Sequence, residues 1–291
     1  DDARHFNGAI KMNGGTLTFA GKAIPDGLPR DPYIHFDASD SSSVVSSGGA
    51  LAVWRNLAAD GAWKEKAICA RPYDSLNAPK ILADALGANL DVIDFGDLTQ
   101  SSGSCYLKLV NDETETISPT NTASPPGIAT VVAVVGAQRG GGALFGATGS
   151  GNNYVTRYSS VAYCYDTTLF GTYSAGLSQS QAKNQTWIDG IPADGINQGY
   201  LTPGYQVVAI KMPGNPSIDK IGASGALFGG LRIGEIVMYR YVLSDEQILD
   251  ATAYLMKKWL NREAPGYAKF NDRKTPELQK VTAVSDARIE V

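Results

Sequence analysis

The run from Leu231 to Leu260 constrains the fold more than any other part of the chain, because it carries a strand leading straight into a helix with a full set of start signals. Ile233-Gly234-Glu235-Ile236-Val237-Met238-Tyr239 has the β-branched and aromatic content of a strand. Ser244 then sits at an N-cap, and Gln247 at the third helical position can reach back to close a capping box, with Leu243 and Ile248 placed as a hydrophobic staple. Asp245 and Glu246 complement the positive end of the helix dipole, and Lys257, Lys258 and Arg262 its negative end. Ile248, Leu255, Met256 and Trp259 fall on one helical face, and Pro265-Gly266 stops the run. One helix therefore closes a chain that otherwise reads as strands.

At 291 residues and 43% hydrophobic content the chain can bury one large core, and all-β sandwiches reach about 200–250 residues as a single domain. Its 32 glycines and 14 prolines favour short strands joined by turns. A formal net charge of -4 argues against nucleic acid, whose phosphates call for a basic face. No apolar run approaches the roughly 20 residues that a spanning helix needs, so no membrane insertion is expected. The first residue is Asp1, with no signal sequence ahead of it, and the chain reads as a mature product or a piece of something longer. Cys69, Cys105 and Cys164 cannot all pair and have no metal-binding spacing. They read as small buried hydrophobes, with a Cys105–Cys164 bridge as the alternative.

Three segments follow. Residues 1–30 hold a β-repeat-like piece, Asn13-Gly14-Gly15-Thr16-Leu17-Thr18-Phe19, and a proline-punctuated linker from Pro25. Residues 31–264 form the body. It contains Phe36-Asp37-Ala38-Ser39-Asp40, Trp54-Arg55-Asn56-Leu57, an apolar strand from Ile128 to Val135, strands between Tyr154 and Tyr165, and a tight hairpin at Asp189-Gly190. Residues 265–291 are a polar tail ending in the strand-like Ala287 to Val291, read as the start of a next module.

In order and spacing, these body motifs and the closing Leu243-Ser244-Asp245-Glu246 to Trp259-Leu260 helix resemble the laminin-G-like, concanavalin A-like jelly-roll family of bacterial surface proteins, over roughly Asp31 to Asn261. The resemblance implies an all-β fold, a two-sheet antiparallel jelly-roll β-sandwich with one C-terminal helix, and mostly non-catalytic binding or structural roles. Fold alone does not fix function.

The same fold hosts glycoside hydrolases, which need two carboxylates about 5 Å apart with one protonated. The Glu-x-Asp-x-x-Glu strand pattern of the related glucanases is absent. Asp112-Glu113-Thr114-Glu115 is dense in acid but reads as an exposed loop. The two histidines, His5 and His35, leave little for a Ser/His/Asp relay, and His35 reads as a half-exposed strand residue. Glu235 shares a strand face with Ile233, Val237 and Tyr239 in strict alternation, and reads as a buried structural acid paired with an arginine such as Arg232 or satisfied by backbone donors, against the alternative of a catalytic acid. Asp37 and Asp40 are candidate oxygen ligands for calcium, as are Asp91, Asp94 and Asp97, although Asp and Ser also start turns with no metal. For a glycan, Tyr154, Thr156 and Tyr158 share one aromatic and polar strand face, and Trp187 beside the hairpin is a second stacking candidate that also fits the core, as do Trp54 and Trp259.

The expectation is a non-enzymatic, lectin-like module at an extracellular or cell-surface location, within a longer protein, binding a glycan or another surface ligand. The alternative is a structural spacer in a β-repeat stalk, and a third reading is a glycoside hydrolase or lyase with an unfamiliar acid layout.

Overall fold

The computed structural model describes residues 9–10, 16–19, 26–58, 69–73, 75–96, 105–111, 113–114, 127–137, 144–146, 185–193, 204–212, 218–224, 227–265, 267, 279–282 and 289–290. Strands β1 (Ala9–Ile10) and β2 (Thr16–Phe19) come first. They are followed by β3 (Ile34–Asp37), β4 (Val44–Ser47), β5 (Ala50–Arg55), β6 (Cys69–Pro72), β7 (Lys80–Leu82) and β8 (Val92–Asp94). Next come β9 (Leu107–Val110), β10 (Thr130–Ala137), β11 (Phe145–Gly146), β12 (Thr186–Ile188), β13 (Ile191–Ala193) and β14 (Gly204–Lys211). The series ends with β15 (Lys220–Ile221), β16 (Ala223–Ser224), β17 (Leu227–Phe228), β18 (Leu231–Tyr239), helix α1 (Asp245–Leu255), β19 (Gln279–Thr282) and β20 (Ile289–Glu290).

The fold is an antiparallel all-β sandwich with one C-terminal helix. One layer runs β11-β15-β9-β6-β5, with β4 beside β5; the other runs β7-β8-β18-β10-β14-β12-β13, with β3 beside β18. They join at a corner where Ala50 of β5 meets Lys80 of β7. Phe36 from the second layer stacks on Trp54 from the first, ring centroids 5.3 Å apart, and both are fully buried. Strand β10 lies between β14 and β18 in the middle of its layer, which is why Val131 to Val135 read as an unbroken apolar run.

Helix α1 makes a third layer on the outside of the second sheet, packing on β10 and β14. Its start follows the sequence signals: the Gln247 N–H donates to Ser244 Oγ, and the Ser244 N–H donates to Gln247 Oε1. Leu243, Ile248, Leu255, Met256 and Trp259 are all buried. The end differs from expectation. Residues Met256–Leu260 form a π-helical turn, and Asn261, in the left-handed conformation at φ 47, closes it well before Pro265 by donating its N–H to Met256 O.

One irregularity in β18 sets up the site. Val134 pairs with Glu235 and Val135 with Ile233, so Gly234 is an extra residue, a β-bulge. Consecutive residues of β10 face opposite sides of the sheet, so Glu235 and Ile233 do too. Strict alternation across Ile233, Glu235 and Val237 therefore fails at Gly234: Ile233 faces the sandwich core, and Glu235 faces the helix with Val237 and Tyr239.

Outside the body, β1 pairs with β20 and β2 with β19, both antiparallel. The strand-like tail thus pairs back onto the N-terminal segment.

Candidate functional site

Register brings the acids together. Glu235 of β18 is directly opposite Asp37 of β3, and Val237 is opposite His35, so His35, Asp37 and Glu235 share the helix-facing side of the sheet. Asn56 holds this part of β3 in place: its Oδ1 accepts from the His35 N–H at 2.8 Å, and its Nδ2 donates to Tyr33 O at 3.1 Å. The π-helical turn brings two donors down from above. Lys258 Nζ donates to Glu235 Oε2 at 2.5 Å and to Asp37 Oδ2, and Trp259 Nε1 donates to Glu235 Oε2 at 2.6 Å. His35 Nε2 lies 2.8 Å from Glu235 Oε1. The bulge glycine leaves room for this roof, since a Cβ on Gly234 would stand 2.8 Å from the Trp259 ring.

Glu235 is wholly buried, and burial alone pushes its carboxyl upward. The bonds from His35 and Lys258 outweigh burial and hold it below the ordinary value of 4.5. Burial likewise pulls the Lys258 ammonium down, while Glu235 and Asp37 together raise it above 10.5. Half-buried Tyr254 stands near the same charges, and burial keeps its phenol above the ordinary range.

Chemically, the cluster combines a carboxylate pair with an internal counter-ion. The ligating atoms of His35, Asp37 and Glu235 all lie within 4.8 Å of one another, a spacing that a retaining glycosidase or a metal centre would use. The protein's own donors already meet these acids. Lys258 places its charge between the two acids, Asp37 Oδ1 accepts from both Ser39 N and Ser39 Oγ, and Glu235 is held as the anion and so has no proton to give. Asp40 makes a separate turn of the same kind, its Oδ1 accepting from Ser42 N and Ser42 Oγ. The Asp37–Asp40 segment therefore consists of two Asx-type turns, with donors already on both Asp37 oxygens and on Asp40 Oδ1.

The other candidates are scattered. Trp187 is buried beneath Lys211, whose Nζ lies 5.0 Å from the ring, so the indole offers no open face to a sugar. Tyr154, Thr156 and Tyr158 lie outside the described residues, as do Cys164, Asp97, Asp112 and Glu115. Asp91 accepts from the Asp84 N–H, and Asp94 accepts from the Gly96 N–H and stands 3.5 Å from Arg232. Arg232 is thus the partner of Asp94 and not of Glu235. Glu113 is held in an ion pair by Arg55 at 2.5 Å, half exposed. Neither Cys69 nor Cys105 is in a disulfide, and burial pushes Cys105 up to about 12.

Sequence reasoning placed Glu235 inside but missed its partners. Lys258 read as a dipole complement and Trp259 as core filler; the available signal was that a buried acid under a single helix must find donors in that helix.

No family model matches the chain, and no curated protein matches it. Among solved structures, Trypanosoma rangeli sialidase aligns at a TM-score of 0.32 and 14% identity, over 82% of this chain and 36% of that one. An alignment at that score bears on neither fold nor function. What fold and site define together is a class: a helix-capped antiparallel β-sandwich with a buried ion cluster in which one ammonium bridges two carboxylates.

Proposed function

We propose that the chain is a non-catalytic binding module of the laminin-G-like kind, carrying a glycan or another surface ligand at a cell surface as one part of a longer protein. One observation carries the non-catalytic half of this reading. Glu235 and Asp37 have the proximity of a catalytic acid pair, yet Lys258 bonds to both and Glu235 takes two further partners, His35 and Trp259. The acids are used to fasten β3, β18 and the helix to one another, which leaves ligand contact to the outer sheet faces and loops. A glycan array combined with a turnover assay tests this. Retention of a glycan without turnover, weakened by Tyr158→Ala, is the expected result. Hydrolysis that disappears in a folded Glu235→Gln variant would overturn it.

A spacer role is the second reading, and the pairing of β1 with β20 and β2 with β19 favours it. That ladder sets the two flanks of the body side by side, as a domain inserted into a β-stalk requires. A spacer would retain no glycan on the array.

A further inference from the structure

Lys258, Asp37 and Glu235 come from three separate elements, and Lys258 Nζ bonds to a carboxylate oxygen of each of the other two. Three features set this group apart from a surface ion pair. The acids are out of solvent: Glu235 is wholly buried and Asp37 is 6% exposed. The two oxygens of Asp37 are met differently, Oδ2 by Lys258 Nζ, and Oδ1 by Ser39 N at 2.9 Å and Ser39 Oγ at 2.7 Å. The nitrogen also touches a second carboxylate, Glu235 Oε2 at 2.5 Å, which His35 and Trp259 hold in position.

These are the parts of an acyl transfer. An amine that has shed a proton is a nucleophile, and Glu235 is a base in contact with it. The Ser39 donors sit where negative charge gathers on Oδ1 when the Asp37 carbonyl carbon is attacked. Glu235 is held as the anion, so it can take a proton along the hydrogen bond that it already accepts from Nζ. The two acids raise the Lys258 pKa, which makes that transfer the uphill part of the reaction and the reaction slow. Burial favours the product, because an ammonium and a carboxylate are costly to keep from water, whereas an amide carries no charge. Contact between the two ends replaces a bimolecular encounter with an intramolecular one.

We propose that Lys258 and Asp37 condense to an amide, an isopeptide bond made by the folded chain itself with Glu235 as the catalytic residue. Glu235 accepts a proton from the Lys258 ammonium, and the freed amine attacks Cγ of Asp37, forming the N–C bond. Negative charge in the tetrahedral intermediate rests on Oδ1, against Ser39. Glu235 passes its proton to Oδ2, relays a second from Nζ in the same way, and the Cγ–Oδ2 bond breaks. The two protons shed by Nζ leave with Oδ2 as water, and Glu235 ends as the carboxylate it began as. One positive and one negative charge disappear, and no other reactant is needed. The structure shows the three groups as they stand before the bond forms. The link joins positions 221 apart, from the first strand of the body to the π-helical turn, and so restrains almost the whole sandwich. It forms once per chain and turns over no ligand, so it is separate from the binding-module reading and does not share its glycan test.

Intact mass spectrometry of the full chain, incubated folded and then unfolded in denaturant, tests the proposal. The expected mass is one water below that of the sequence. Proteolysis should then release a branched peptide that joins the Asp37 and Lys258 segments. Lys258→Arg, which keeps the positive charge without the amine, should have the full mass. Glu235→Gln, checked for folding by thermal melting, should also keep the full mass, since losing a general base slows such a step by about a hundredfold or more. The full sequence mass in the unchanged chain would overturn the proposal. So would a water loss that persists in Lys258→Arg or maps to other residues. A folded Glu235→Gln that still loses the water would overturn the catalytic role of Glu235. The mass of the unchanged chain and the branched peptide decide the bond itself even where Glu235→Gln does not fold.

Discussion

Asp37 and Glu235 are direct cross-strand partners on β3 and β18, and a single ammonium, that of Lys258, bonds to both. Two carboxylates opposed on neighbouring strands repel. Lys258 turns that repulsion into a three-way tie between two strands and the π-helical turn, and Trp259 and His35 fill further lone pairs of Glu235.

Removing the ammonium should therefore cost more than neutralising one acid. Lys258→Met leaves two buried carboxylates facing each other and is expected to destabilise by about 3–5 kcal/mol, the range for breaking a buried ion pair from one side. Glu235→Gln keeps the Lys258–Asp37 pair and should cost less, about 1.5–3 kcal/mol, the range for hydrogen bonds to a charged group. Urea unfolding of both variants checks the order; a Lys258→Met midpoint equal to that of the unchanged protein would refute it.

The same cluster predicts a stability plateau in pH. Glu235 has a folded-state pKa below its ordinary 4.5, so its contribution is present above that value and is lost as pH falls through the folded-state pKa. Lys258 has a folded-state pKa above 10.5, so its contribution is present below that value and is lost as pH rises past the folded-state pKa. Unfolding free energy measured against pH should be level between about pH 5 and pH 10 as far as these two groups set it. Glu235→Gln should flatten the acid limb; an unchanged acid limb in that variant would show that other carboxylates govern it.

Gly234→Ala should be costly for steric reasons alone. The new Cβ would meet the Trp259 ring at 2.8 Å, in a site closed by the helix. The expected loss is about 1–3 kcal/mol, with a shifted tryptophan emission as the indole moves. Gly27→Ala, where no atom lies within 4 Å of an added Cβ, is the matched control and should fall within about 0.5 kcal/mol.

Calcium should leave the melting temperature unchanged. The oxygens of Asp37 already accept from Ser39 and Lys258, and Asp40 Oδ1 accepts from Ser42. Thermal melts with a chelator and with millimolar calcium measure this directly, and a rise with calcium would place a cation site elsewhere in the chain.

The parts of this fold legible beforehand are those governed by local chemistry. Ser244, Gln247 and the apolar face of α1 announce a helix because capping and periodicity act within a few residues. Asp189-Gly190 announces its hairpin because both residues take positive φ, 50 and 77. The bulge at Gly234 was not legible, since it depends on how many residues β10 sets against β18. Nor was the role of Lys258, which lies 23 positions from Glu235 and 221 from Asp37 and reaches them only through the fold. Trp187 shows the remaining limit: its neighbours suit a sugar site and a core equally, and only the packing of Lys211 above it decides.

The ladder of β2 on β19 has a mechanical consequence. Thr16 faces Thr282 at one end and Phe19 faces Gln279 at the other, so the chain enters and leaves at the same end of the ladder. Tension on the two flanks would peel the ladder open one hydrogen bond at a time, as a zipper parts. The sandwich would feel the load only after that short fuse had run out.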